Sequence, residues 1–134
     1  MGHIAYRAPA RKHRSPEAAI QRCVFQHLRA RGAPGLFAFH PANGGYRTPI
    51  EAAMLKGMGV VAGVPDVIAI HQGRVYGLEL KADGGRATSK QVTTLATMQA
   101  AGAVTAIAEG LDAALLWLEG HGLLRRRTNQ STGD

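Results

Sequence analysis

The dipeptide Gln72-Gly73 constrains this chain more than any other pair of residues. It separates Asp66-Val67-Ile68-Ala69-Ile70, a run rich in β-branched side chains, from Arg74-Val75-Tyr76-Gly77-Leu78-Glu79-Leu80-Lys81, in which apolar residues alternate. Two such runs around a short glycine-containing turn spell a β-hairpin. A tight turn centred on Gln72-Gly73 sets His71 opposite Arg74. Counting outward, it sets Asp66 opposite Glu79. Opposed residues of an antiparallel pair have Cβ atoms about 5 Å apart, where like charges repel. Alternation also puts Glu79 and Lys81 on one face, with Leu78 and Leu80 on the other. The chain has 9 acidic residues against 16 basic ones, yet two of the acids are placed to repel. A divalent cation between them, with Lys81 alongside, is the natural compensation.

Pro65-Asp66 followed by Glu79-Leu80-Lys81 resembles the motif of the PD-(D/E)XK nuclease superfamily. The flanking residues narrow the likeness. His40-Pro41-Ala42-Asn43-Gly44-Gly45, Lys56-Gly57-Met58-Gly59, Gly63-Val64-Pro65-Asp66, Glu79-Leu80-Lys81, Gly85-Arg86 and Gln91 follow one another in that order. This series resembles the VRR-NUC (virus-type replication-repair nuclease) branch, from Pro16 to Gly110. Gly45 departs from the pattern, because many relatives carry an acidic residue close to Asn43.

The resemblance implies a restriction-endonuclease-like α/β fold, a mixed sheet flanked by helices. It implies a metal-dependent nuclease acting on DNA, with a preference for branched, flapped or junction structures. Asp66, Glu79 and the backbone carbonyl of Leu80 would hold Mg2+, with Mn2+ as a substitute, and Glu17 would bind it directly or through water. Lys81 would hold the attacking water or the scissile phosphate. Gln91 stands where the family has a glutamine near the lysine. The likeness also makes His40 and Asn43 candidates for nucleic-acid contact.

Each of these residues has a plainer reading. Glu17 follows Ser15-Pro16, a helix start with serine as N-cap and proline at the first helical position. An acid in a first turn stabilises the helix dipole. Yet Glu17 is in phase with Ile20, Val24 and Leu28, the apolar stripe of that helix, so it points to the inward face. Gln91 completes a capping box with Thr88 and can serve both ends. His40 reads equally as a packed histidine at a strand end, and Asn43 as a turn former. Arg47, Lys56, Arg86 and Lys90 read as solvated charges or as phosphate contacts around a cleft.

Charge and size set the partner class. A net charge of +7 favours a polyanion. At 134 residues the chain makes one domain. Hydrophobic residues make up 46% but aromatics only 5%, so the core is built from small side chains. The single cysteine, Cys23, excludes an internal disulfide and reads as a core filler. No zinc-type spacing, membrane-length apolar run or signal segment is present, and a cytoplasmic protein is expected. Small size suggests a homodimer. A non-catalytic nucleic-acid-binding module on the same fold is the alternative, and a phosphohydrolase of small nucleotides is a third reading. The basic ends favour a polymer over the latter.

Along the chain, residues 1–14 read as a flexible basic arm, 15–122 as the folded domain and 123–134 as a mobile basic and polar tail. Leu36–His40 reads as a strand. Thr48-Pro49-Ile50-Glu51 is a capping box opening a short helix toward Lys56. A helix after Thr88 should bury Val92, Leu95 and Met98. Val104–Ala108 reads as a strand, and Leu111–Glu119 as a helix with Leu115, Leu116 and Leu118 available for packing. The expected order is α-β-α-β-β-α-β-α.

Overall fold

A computed structural model describes residues 16–42 and 47–127. These form α1 (Pro16–Arg31), β1 (Phe37–Phe39), α2 (Pro49–Gly57), β2 (Val67–His71), β3 (Arg74–Lys81), α3 (Ser89–Ala100), β4 (Val104–Glu109) and α4 (Leu111–Gly120). The order agrees with the sequence reading. The basic arm, Ser15 and Asn43 lie outside the described residues. No helix among the described residues is long and apolar enough to cross a membrane.

The hairpin turns where expected. Gln72 and Gly73 both take positive φ, 50° and 75°, as a two-residue turn matching strand twist requires. Its register pairs His71 with Arg74 and Val67 with Leu78, which sets Asp66 against Glu79 one step further. Asp66 itself lies just outside β2. Its carboxylate Oδ2 accepts the N–H of Leu80 at 2.9 Å, so a side chain engages the strand edge where the backbone ladder stops.

The sheet order is β1-β2-β3-β4. The first two pairings are antiparallel, and β3–β4 is parallel, bridged by α3. Such a crossover needs a helix, since parallel strands cannot be joined by a tight turn. α1 and α4 cover one face, where Val24, Leu28, Leu78, Leu80, Leu115 and Leu118 form the core. α3 covers part of the other face, with Leu95 buried.

That second face depends on Gly77. A Cβ there would lie 2.9 Å from Pro65 Cγ and 3.2 Å from Met98 Cε. The missing side chain lets the buried Pro65 ring lie on the strand. Gly63 does the same for the loop above, combining φ of +79° with a close approach to the Lys90 carbonyl. Thr94 Oγ1 then donates to the Ala62 carbonyl at 2.7 Å. The loop carrying Asp66 is thereby fixed to α3.

Three sequence expectations change. Val92 is 50% exposed, because Gln91, Leu95 and Met98 share the inward stripe and Gln91 holds its first position. Leu116 is 67% exposed, because α4 turns Ala114, Leu115 and Leu118 inward. Packing also continues past residue 122. Leu123 and Leu124 are core residues, Leu124 bridges Gly32, and the Arg125 N–H donates to the Arg31 carbonyl. Apolar side chains that the basic run hides in sequence thus close the core under α1 and α4. Cys23 is half-buried.

Leu123→Ala should therefore destabilise the protein by about 2–5 kcal/mol, although it lies beyond the last helix. Urea unfolding followed by circular dichroism measures this. A variant within about 0.5 kcal/mol of wild type would mean that Leu123 adds nothing to the core.

Candidate active site

The C-terminal half of β3 places an acid and a base in the interior. Glu79 is 2% exposed and Lys81 6%. They share one face of the strand, as alternation requires. Lys81 Nζ stands 3.5 Å from Glu79 Oε1 and 3.8 Å from Glu17 Oε1. Glu17 therefore points inward from the first turn of α1, as its phase with Ile20 and Val24 implied.

Gln91 performs both tasks open to it. Its backbone N–H donates to Thr88 Oγ1, and its Oε1 accepts the Thr88 N–H at 2.9 Å, completing the capping box. Its Nε2 donates to Glu79 Oε1 at 2.9 Å. The cap thus fixes the amide, and the amide fixes Glu79. The other oxygen, Glu79 Oε2, is buried without a hydrogen-bond partner.

Burial of this carboxyl has an electrostatic consequence. Burial first, and then the Asp66 carboxylate beside it, push the Glu79 carboxyl up to about 8, against the opposing pull of Lys81. At neutral pH Glu79 keeps its proton, since burial and the neighbouring carboxylate both disfavour its ionised form. A cation can replace that proton. No group of three or more His, Cys, Asp or Glu residues close enough to hold a metal occurs among the described residues. Two adjacent carboxylates, Asp66 and Glu79, are what remains here, and magnesium is an ion that takes one or two carboxylates and keeps several waters.

A cleft of about 720 Å³ opens beside this group, between α2 and α3. His40, Arg47, Lys56, Asp66, Lys90 and Gln91 are on its wall. His40 Nδ1–H donates to the Asp66 carbonyl at 2.7 Å, so the end of β1 is tied to the start of β2. Arg86 is exposed and does not line the cleft, unlike the other three basic residues singled out from sequence. Leu80 meets Asp66 through its N–H.

Among solved structures, a VRR_NUC domain protein matches with a TM-score of 0.65 and 26% identity, over 78% of this chain and 85% of that one. The chain has the VRR-NUC fold. No protein-family model and no curated protein matches it. Within this fold, sequence reasoning missed Thr94, which lines the cleft and holds its loop. The signal was available, because Thr94 is three residues beyond Gln91 and shares its helix face.

The raised carboxyl makes a stability prediction. Glu79 is protonated in both states below its ordinary value of 4.5, and ionised in both above about 8. Between those values the unfolded chain gives up its proton first, so rising pH weakens the metal-free fold. Glu79→Gln removes that loss. In EDTA its melting temperature should exceed that of wild type by an amount that grows from pH 4.5 to pH 8 and then levels. A pH-independent difference would show that Glu79 ionises as readily when folded.

Proposed function

We propose that this protein is a metal-dependent nuclease that hydrolyses DNA phosphodiester bonds. The observation that carries the proposal is the buried Lys81 between Glu79 and Glu17, with the unsatisfied Glu79 carboxylate facing Asp66 beside a basic cleft. Asp66, Glu79, the Leu80 carbonyl and Glu17 would hold the ion, Mg2+ or in its place Mn2+. When bound, such an ion lowers the pKa of a water and neutralises charge on the phosphate. Lys81 holds the attacking water or the scissile phosphate, a task suited to a compact point charge. Gln91 keeps Glu79 oriented. His40, Arg47, Lys56 and Lys90 take the phosphates of the bound strand, and Asn43 and Arg86 extend that set.

A non-catalytic binding module is the competing reading. Buried, opposed carboxylates disfavour it, because they repel a polyanion and gain nothing from binding alone. We propose branched, flapped or junction DNA as the preferred substrate, within the cytoplasm. A second copy is the proposed assembly partner, giving a two-fold homodimer. Phe37, Phe39, Ile70 and Val75 leave an apolar strip on one face of β1–β3 open to solvent, a surface of the kind that association covers.

Lys81→Ala should lower cleavage by a factor of about 100 or more, with DNA affinity nearly unchanged. Asp66→Asn should also stop cleavage, and should tighten binding by removing negative charge from the cleft. A gel-shift titration and a cleavage time course at one salt concentration, on linear, flapped and four-way DNA with Mg2+ or Mn2+, separate the effects. Wild type that cuts nothing gives the protein to the binding-module reading. Lys81→Ala that cuts as fast as wild type removes the site assignment.

Light scattering should return a dimer mass at micromolar concentration. Phe37→Ser should shift it toward monomer, and a wild type that stays monomeric throughout that range ends the dimer proposal.

A further inference from the structure

A second depression, of about 490 Å³, runs along the outer side of α1. Gln21, Arg22, Phe25, Gln26, Arg29 and His40 line it. Positions 22, 26 and 29 recur at helical spacing, so their side chains form one stripe. Seven residues of helix separate Arg22 from Arg29 by about 10 Å, the axial rise of about three base pairs of a duplex.

Arg22 and Arg29 are both exposed, and no acid among the described residues pairs with either. Arg31 on the same helix differs, with Glu119 2.7 Å away. Gln21 and Gln26 add neutral hydrogen-bonding groups. Phe25 packs against the core and makes an apolar floor. Nothing in the proposed chemistry uses this stripe.

His40 connects it to the active cleft, since it lies on the walls of both depressions. α1 and α3 cover opposite faces of the sheet. A chain leaving the cleft over His40 therefore passes from the α3 side to the α1 side.

We propose that this face of α1 is a second nucleic-acid track, carrying the DNA strand that leaves the cleft, with Arg22 and Arg29 on its phosphates. The assignment rests on the nuclease reading above and extends it to substrate beyond the scissile bond. The charge favours it: the chain carries +7, and two guanidiniums on a stripe, with no acid paired to them among the described residues, repel a second basic copy and attract a phosphate backbone. Such contacts fix register without reading bases.

Two duplexes test this, both in EDTA: the shortest that wild type retains, and the same duplex lengthened by one helical turn at each end. Binding is titrated at several salt concentrations for wild type, Arg22→Ala/Arg29→Ala and Arg22→Lys/Arg29→Lys. Wild type should gain about tenfold in affinity from the added length, the effect of roughly two phosphate contacts over a moderate salt range. The alanine pair should lose that gain, and its log–log salt slope on the long duplex should be shallower by about 2. The lysine pair should keep most of both. Thermal melts should coincide with wild type, because both side chains are exposed. An alanine pair that keeps the full gain and slope, on a wild type that binds and cuts DNA, overturns the α1 track alone. A wild type that binds no DNA overturns the nuclease reading and the track together.

Discussion

The whole site depends on one carboxylate, Glu79, held out of water beside a second. A buried charge is costly unless paired and hydrogen-bonded, and Glu79 has partners for one oxygen only. Gln91 and Lys81 both address Oε1. Asp66 is engaged separately, by the N–H of Leu80. The remaining oxygen, Oε2, has no donor. Leaving a polar atom in that state weakens a protein and is tolerated where chemistry needs it.

The supports around Glu79 are ordinary structural devices used twice. The Thr88–Gln91 capping box starts α3, and the same glutamine amide restrains the carboxylate. The first turn of α1 places an acid near the helix N-terminus, where the dipole favours it, and the same acid stands beside Lys81. Gly77 weakens β3 as a strand but admits Pro65, which brings Asp66 to the end of the sheet. Local stability and site geometry thus share residues, so a substitution at any of them is felt in both.

The two walls of the cleft differ in how firmly they are held. α3 is tied to the sheet through Leu95 and Met98 and to the Asp66 loop through Thr94. α2 buries none of its residues, although its capping box is complete. Ile50, Met54 and Met58 recur at four-residue spacing on α2 and its C-cap, and all are exposed. Elements with so little buried surface sit at the low-stability end of a fold. The α3 side of the cleft is therefore tied to sheet and loop, and the opposite wall is held mainly by its own helix.

Local chemistry made much of this legible in the sequence. A two-residue turn at Gln72-Gly73 dictates the register, and register dictates that Asp66 opposes Glu79, since side chains alternate with a strict period of two. Capping boxes at Thr48 and Thr88 mark helix starts because they satisfy donors within four residues. Glu17 was legible as inward-facing from its phase in α1. Facts that rest on contacts far apart in the chain were decided only by tertiary structure. Val92 and Leu116 carry the right hydrophobicity for a core, but the neighbours of α3 and α4 selected Gln91 and Ala114 for the inward places. Leu123 and Leu124 look like the start of a polar tail, yet α1 and α4 leave a gap that they fill. Arg22 and Arg29 were unremarked helix charges until folding brought His40 beside them. Periodicity and turn chemistry act between near neighbours and can be read from the chain. Burial and charge environment are set by whichever distant residues pack alongside, and only the assembled fold supplies those.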